Sequence, residues 1–179
     1  TKLVDVDLSG KDLTGTIFTG ADLSGVNLAN AILVNANLEN ATLEGVKLLD
    51  ADLDSANLTN ANLREALLVD AKLSNAILIG ADLSGAILTG TILTGADLEN
   101  AVLTSSDLSG MDLTGTSLRG VDLSGANLTG IDLSGKDLTG TKLVDVDLSG
   151  KDLTGTIFTG ADLSGVNLAN AILVNANLE

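Results

Sequence analysis

Histidine, cysteine, proline, tryptophan and tyrosine are all missing from this chain of 179 residues, which holds only two phenylalanines and one methionine. Each absence excludes something. Without His or Cys there is no imidazole base, no thiolate nucleophile and no soft metal ligand. No catalytic residue, cofactor-binding residue or metal ligand is therefore expected, and no cofactor. Without Cys there are no disulfides, which suits a reducing or an oxidising compartment, cytoplasmic or extracellular. Basic residues are scarce too, nine against 24 acidic ones, for a net charge of −15. Such a surface repels nucleic acid and anionic membranes, so no direct nucleic-acid binding is expected. The mean hydropathy of +0.38 is positive, yet polar residues interrupt every five, so no run is apolar enough for a membrane span. No signal-peptide pattern is visible after Thr1.

What is present is a period of five. From Leu3 to Leu178 every fifth residue is Leu, save Phe18 and Phe158. No linker or insertion interrupts the series, which reads as one domain, 1–179. Five steps on an α-helix rotate about 140°, which scatters the leucines around the axis. On a continuous strand they would alternate between faces. One solution remains: short extended segments joined by corners that reset direction, with every Leu pointing inward.

The neighbouring positions agree. Two residues before each Leu stands a small residue, most often Ala. Two residues after it stands Gly in 20 blocks and Asn or Asp in most others. These residues accept the positive φ that a type II turn demands at its second central position. Corners of roughly 90° every five residues give four sides and 20 residues per coil. At about 4.8 Å per coil the rod has about nine coils and a length of about 43 Å. Residues 141–179 copy residues 1–39 letter for letter, an offset of seven coils that lands on the same sides.

Blocks such as ADLSG, ANLTN, ANLRE and VDLSG resemble the A-[D/N]-L-x-x consensus of the pentapeptide repeat family, and the resemblance covers all 179 residues. It implies an all-β fold, a right-handed quadrilateral β-helix. Some members of that family resemble B-DNA in size and charge, bind DNA gyrase and protect it from quinolones. This chain shares the acidic rod but departs from that subgroup, with no projecting loops, no evident dimerisation tail and almost no aromatic core.

Departures from the pattern mark candidate sites. Asp or Asn precedes the Leu in 21 blocks and should face water. Counting by fours places Leu67 and Ile87 on one side, with Leu49 and Val69 in the adjoining outward column, as a possible apolar contact strip. Lys11, Lys136 and Lys151 occupy the small-residue position. Their side chains are expected to lean out at the corner, with a salt bridge or coil registration as the alternative. Asp112, Asp132 and Asp152 form one column, read as a solvated acidic face rather than a calcium site. Neither end carries a capping helix, which fits a segment of a longer array or head-to-tail stacking.

The function expected is therefore a non-enzymatic structural or scaffolding rod. Its partners would be itself, end to end or side by side, or another protein. The alternatives are an acidic DNA mimic that binds gyrase, and a consensus-like engineered repeat.

Overall fold

A computed structural model describes residues 2–3 and 6–179, with Thr1, Val4 and Asp5 outside the described residues. No helix occurs among them, and the chain follows one repeating course. Through most of the chain the residue before a core Leu pairs in parallel with the residue 20 positions on, as in Asp22 with Thr42, Asn27 with Lys47, Ile32 with Asp52 and Asn37 with Asn57. Four such pairs per coil define four flat sides. The first side holds Leu23 and its equivalents at intervals of 20, the second Leu28, the third Leu33 and the fourth Leu38.

The corners are turns closed by one hydrogen bond, for example from the Ala31 N–H to the Leu28 carbonyl at 3.0 Å. Their second central residue has φ between 62° and 75° where it is Gly and between 55° and 60° where it is not. At Gly90 the requirement is also one of space, because a Cβ there would lie 2.0 Å from Asp70 Oδ1. Leucine side chains meet on the axis, with Leu23, Leu28, Leu33 and Leu38 all fully buried. The small residue two positions earlier shares the interior with them.

Backbone donors are then assigned one by one. The core Leu and the corner residue donate to the following coil, and the residue before Leu donates to the preceding coil. The N–H of the residue after Leu has no backbone partner in either direction. Its N–H is met by the side chain two positions back, as when Asn57 Oδ1 accepts from Thr59 N–H at 3.0 Å. All 21 Asp and Asn residues at that position accept such a bond. These residues are half-buried or exposed, facing water as expected, and they also hold each side straight.

From Leu23 to Leu83 every core Leu donates to the following coil. Beyond that the ladder has gaps. Among the described residues, the N–H groups of Leu88, Leu93, Leu113, Leu118, Leu128 and Leu133 make no such bond, although those of Leu103, Leu123 and Leu143 on the first side do. The third side is affected most, losing the pairings of residue 112 with both 92 and 132, and of 132 with 152. On the third side the gaps coincide with larger residues in the small-residue position. On the third side Ala31, Ala51 and Ala71 give way to Thr91, Met111, Ile131 and Lys151. A core filled to native density accommodates larger groups only by moving backbone. The third side is wedged open while the first stays paired.

Candidate interaction surfaces

The wedged side is where sequence-marked residues converge. Two clefts open between its coils, and a third lies mainly on the second side. The first, of about 240 Å³, lies between Thr91, Thr94, Met111 and Asp112. The second, of about 260 Å³, is lined by Met111, Asp112, Asp132, Ser134 and Lys136. The third, of about 220 Å³, is lined by Leu128, Asp147 and Lys151. Each is smaller than the roughly 300–1,000 Å³ typical of small-molecule sites. One buried side-chain polar atom is unpaired among the described residues, the Ser106 hydroxyl. It sits beside the missing bond between Ala86 and Asp107.

Lys136 and Lys151 are half-buried in this region, whereas Lys11 is exposed. The Lys136 ammonium donates to the Leu113 carbonyl at 2.5 Å, and that of Lys151 donates to the Ile131 carbonyl at 3.0 Å. Both reach back one coil, as the hydroxyls of Thr91, Thr116 and Thr156 also do. These bonds match coil registration rather than a side chain turned to water at the corner. Burial pushes the Lys151 ammonium below its ordinary range, opposed by Asp132 and Asp147.

Asp112, Asp132 and Asp152 stand in one exposed column. Each carboxyl is held below the ordinary carboxylate value by the hydroxyl and then the N–H of the residue two positions on, Thr114, Ser134 and Thr154 respectively. Repulsion from Asp132 opposes the shift at Asp152. At Asp82 and Asp122 burial raises the pKa and is outweighed by bonds from Ser84 and Ser124. These five carboxylates are thus held ionised by their own turns. Cations cross between adjacent coils to meet carboxylates in the pairs Lys72 to Asp52 at 3.3 Å and Lys142 to Asp122 at 3.1 Å. Such exposed pairs contribute about 0–1 kcal/mol each.

The apolar strip lies on the second side. Leu67 pairs with Ile87 along the ladder; Leu49, Leu67 and Val69 are half-buried and Ile87 is 47% exposed. The third side adds Ile32, Ile92, Ile172 and Val174, all exposed. Met111, which lines two of the clefts, and the buried Ile131 one coil on were not singled out from the sequence. Their signal was available, since both break the run of small residues that the lysines also break.

A model of pentapeptide repeats matches the chain in eight copies, together running from residue 1 to residue 179. Among solved structures the chain is similar to HetL, a pentapeptide repeat protein involved in heterocyst differentiation regulation from the cyanobacterium Nostoc sp. strain PCC 7120. The identity is 34% over 98% of this chain and 86% of that one, with a TM-score of 0.45. Full-length QnrB1, a plasmid-mediated fluoroquinolone resistance protein, is 23% identical over 95% of this chain and 94% of its own, with a TM-score of 0.56. That likeness is one of fold. Rfr23, a pentapeptide repeat protein from the cyanobacterium Cyanothece 51142, is 29% identical over 67% of this chain and 89% of that one, with a TM-score of 0.43. No curated protein sequence matches.

Proposed function

This chain belongs to the pentapeptide repeat family, and we propose that it serves as a non-enzymatic scaffolding rod, residues 1–179 acting as one solenoid domain that binds proteins along its flat sides. The observation that carries this reading is the destination of the polar side chains. The 21 Asp and Asn residues before the core leucines turn back onto backbone N–H groups. Lys136 and Lys151 turn back onto carbonyls. The Asp and Asn side chains used in this way hold each side straight and the lysines tie coil to coil; a general acid or base must instead reach a reacting atom. The outward columns are left for contact, with Leu49, Leu67, Val69 and Ile87 as the apolar patch against which a partner protein or a second copy packs side by side. Sedimentation equilibrium tests the second-copy arm. The wild type should exceed 18.0 kDa as concentration rises, and Leu67→Asp with Ile87→Asp should return it to monomer with an unchanged circular dichroism spectrum. Equal association of the two proteins removes the strip from the reading.

A second reading, an acidic rod that competes with DNA for DNA gyrase, is favoured by the aligned Asp112, Asp132 and Asp152 column and the net charge of −15. A supercoiling assay with purified gyrase separates the two. Neither inhibition nor protection from quinolones at micromolar rod eliminates the mimic.

A further inference from the structure

Along the second side the outward column before the core leucines reads Asn27, Lys47, Leu67, Ile87, Asp107 and Asn127 in successive coils. That order is its own complement about the point midway between Leu67 and Ile87. Reversed and laid against itself, it sets Leu67 against Ile87, Lys47 against Asp107 and Asn27 against Asn127. The column after the leucines reads Leu49, Val69, Thr89 and Ser109 over the four central coils. Lys47 and Asp107 are both exposed. Among the described residues Lys47 enters no salt bridge, whereas Lys72 and Lys142 each reach a carboxylate one coil away. Asp107 is fixed in place, its Oδ1 accepting from the Ser109 N–H and from Asn127 Nδ2, both at 3.0 Å. The apolar centre of the strip thus lies between a cation at one end and a fixed anion at the other.

We propose that the second side is a self-recognition surface on which two copies pack antiparallel about a two-fold axis midway between Leu67 and Ile87. The inference rests on the side-by-side reading of this strip and adds the partner and its orientation. Turning a flat face over about an axis that lies in it, at right angles to the rod, keeps each column opposite itself and reverses the order of the coils. Leu67 then faces Ile87 of the second copy, Val69 faces Thr89, and Lys47 faces Asp107, each contact occurring twice. The acidic corners meet glycine, Glu65 lying across from Gly85 and Asp70 from Gly90. No like charges meet over these four coils. A parallel pair, with the axis along the rod, sets the two columns against each other. Lys47 then faces Leu49 and Asp107 faces Ser109, so both charges lose water without gaining a partner. Charge complementarity therefore selects the antiparallel form. The contact is isologous and closes at two copies. The matched patch is four coils long, about 19 Å, which is short for a stable interface, so pairing is weak and rises with concentration.

The test is a charge exchange on the full chain, read by sedimentation equilibrium at physiological salt, where screening at about 8 Å removes most long-range repulsion and leaves the facing pairs. The wild type should approach twice 18.0 kDa as concentration rises. Lys47→Asp alone and Asp107→Lys alone each oppose like charges at both ends of the strip and should weaken pairing by about tenfold or more. An equal mixture of the two variants sets opposite charges at both ends again and should regain wild-type pairing. If Asp107→Lys disturbs the turn at Ser109, Asp107→Asn keeps that acceptor and should weaken pairing by a smaller factor. Because the chain lacks cysteine, Leu67→Cys chains mixed with Ile87→Cys chains should cross-link to each other faster than either does to itself. A wild type that remains at 18.0 kDa at every concentration removes the side-by-side self-association, and this inference with it. A wild type that pairs through Leu67 and Ile87 but is indifferent to the charge exchange, or whose mixed variants stay apart, keeps the strip and overturns the antiparallel orientation.

Discussion

Residues 21–83 and residues 85–153 follow the same five-residue pattern and fill the same four sides, yet only the first region is fully paired. The leucines do not differ, and they are buried in both regions. What differs is the residue two positions earlier. Where third-side positions hold Ala31, Ala51 and Ala71 the coils close. Where they hold Thr91, Met111, Ile131 and Lys151 the third side loses pairings and two clefts form. The large inward residue sets the direction of the chain, and the small one sets the spacing of the coils.

The largest effect that can break this comparison is charge placed on the axis. Leu53→Asp should cost more than about 4–5 kcal/mol and unfold several neighbouring coils, because each coil is stable only against the next. An unchanged thermal melt would mean that Leu53 does not point inward. Truncation separates the regions more finely. Leu53→Ala leaves a sealed void and should fall toward the upper end of the roughly 2–5 kcal/mol range, and Leu133→Ala, beside an opened ladder, toward the lower end. Urea denaturation measures both, and equal costs would mean that the gaps do not matter energetically.

A smaller change should mend the loosened region. Ile131→Ala with Met111→Ala installs the alanines of the tight coils. Amide exchange at Asp112 and Asp132 should then slow, even though core volume has been lost. Faster exchange would reject the wedge. Smaller still is the local bond before each Leu. Asn57→Ala strands the Thr59 N–H and should cost about 1 kcal/mol, whereas Ile77→Ala removes no such acceptor.

Acid should act through the same bonds. Carboxyls such as Asp112, Asp132 and Asp152 titrate below their ordinary value of about 3.9 in the folded chain. Their contribution is complete above about pH 5 and is lost as pH falls through the folded pKa. Tm should be lower at pH 3 than at pH 6. A higher Tm at pH 3 would mean that repulsion across the net charge of −15 outweighs these bonds.

Much of the fold was legible because the chain states one rule 36 times: an apolar centre, a small residue before it and a corner residue after it. The site was less legible. Asp and Asn were assigned to water because strand alternation reports which way a side chain points, and says nothing of the N–H it can reach two residues on. Lys136 and Lys151 were recognised as misplaced, but their acceptors lie 23 and 20 residues back, contacts visible only once coils are stacked. The Asp112 column and the lysines meet at the clefts because Met111 and Ile131 part the coils, and an apolar residue at an inward position raised no alarm.

Residue-resolved hydrogen exchange at the core leucines tests the central claim most directly, that side-chain size at the small-residue position governs how closely the coils pair. Leu33, Leu53 and Leu73 on the third side should exchange slowly, and Leu93, Leu113 and Leu133 on the same side markedly faster, with Leu103 and Leu123 on the first side remaining slow. Uniform protection along the third side, or fast exchange of the first and third sides together, would contradict it.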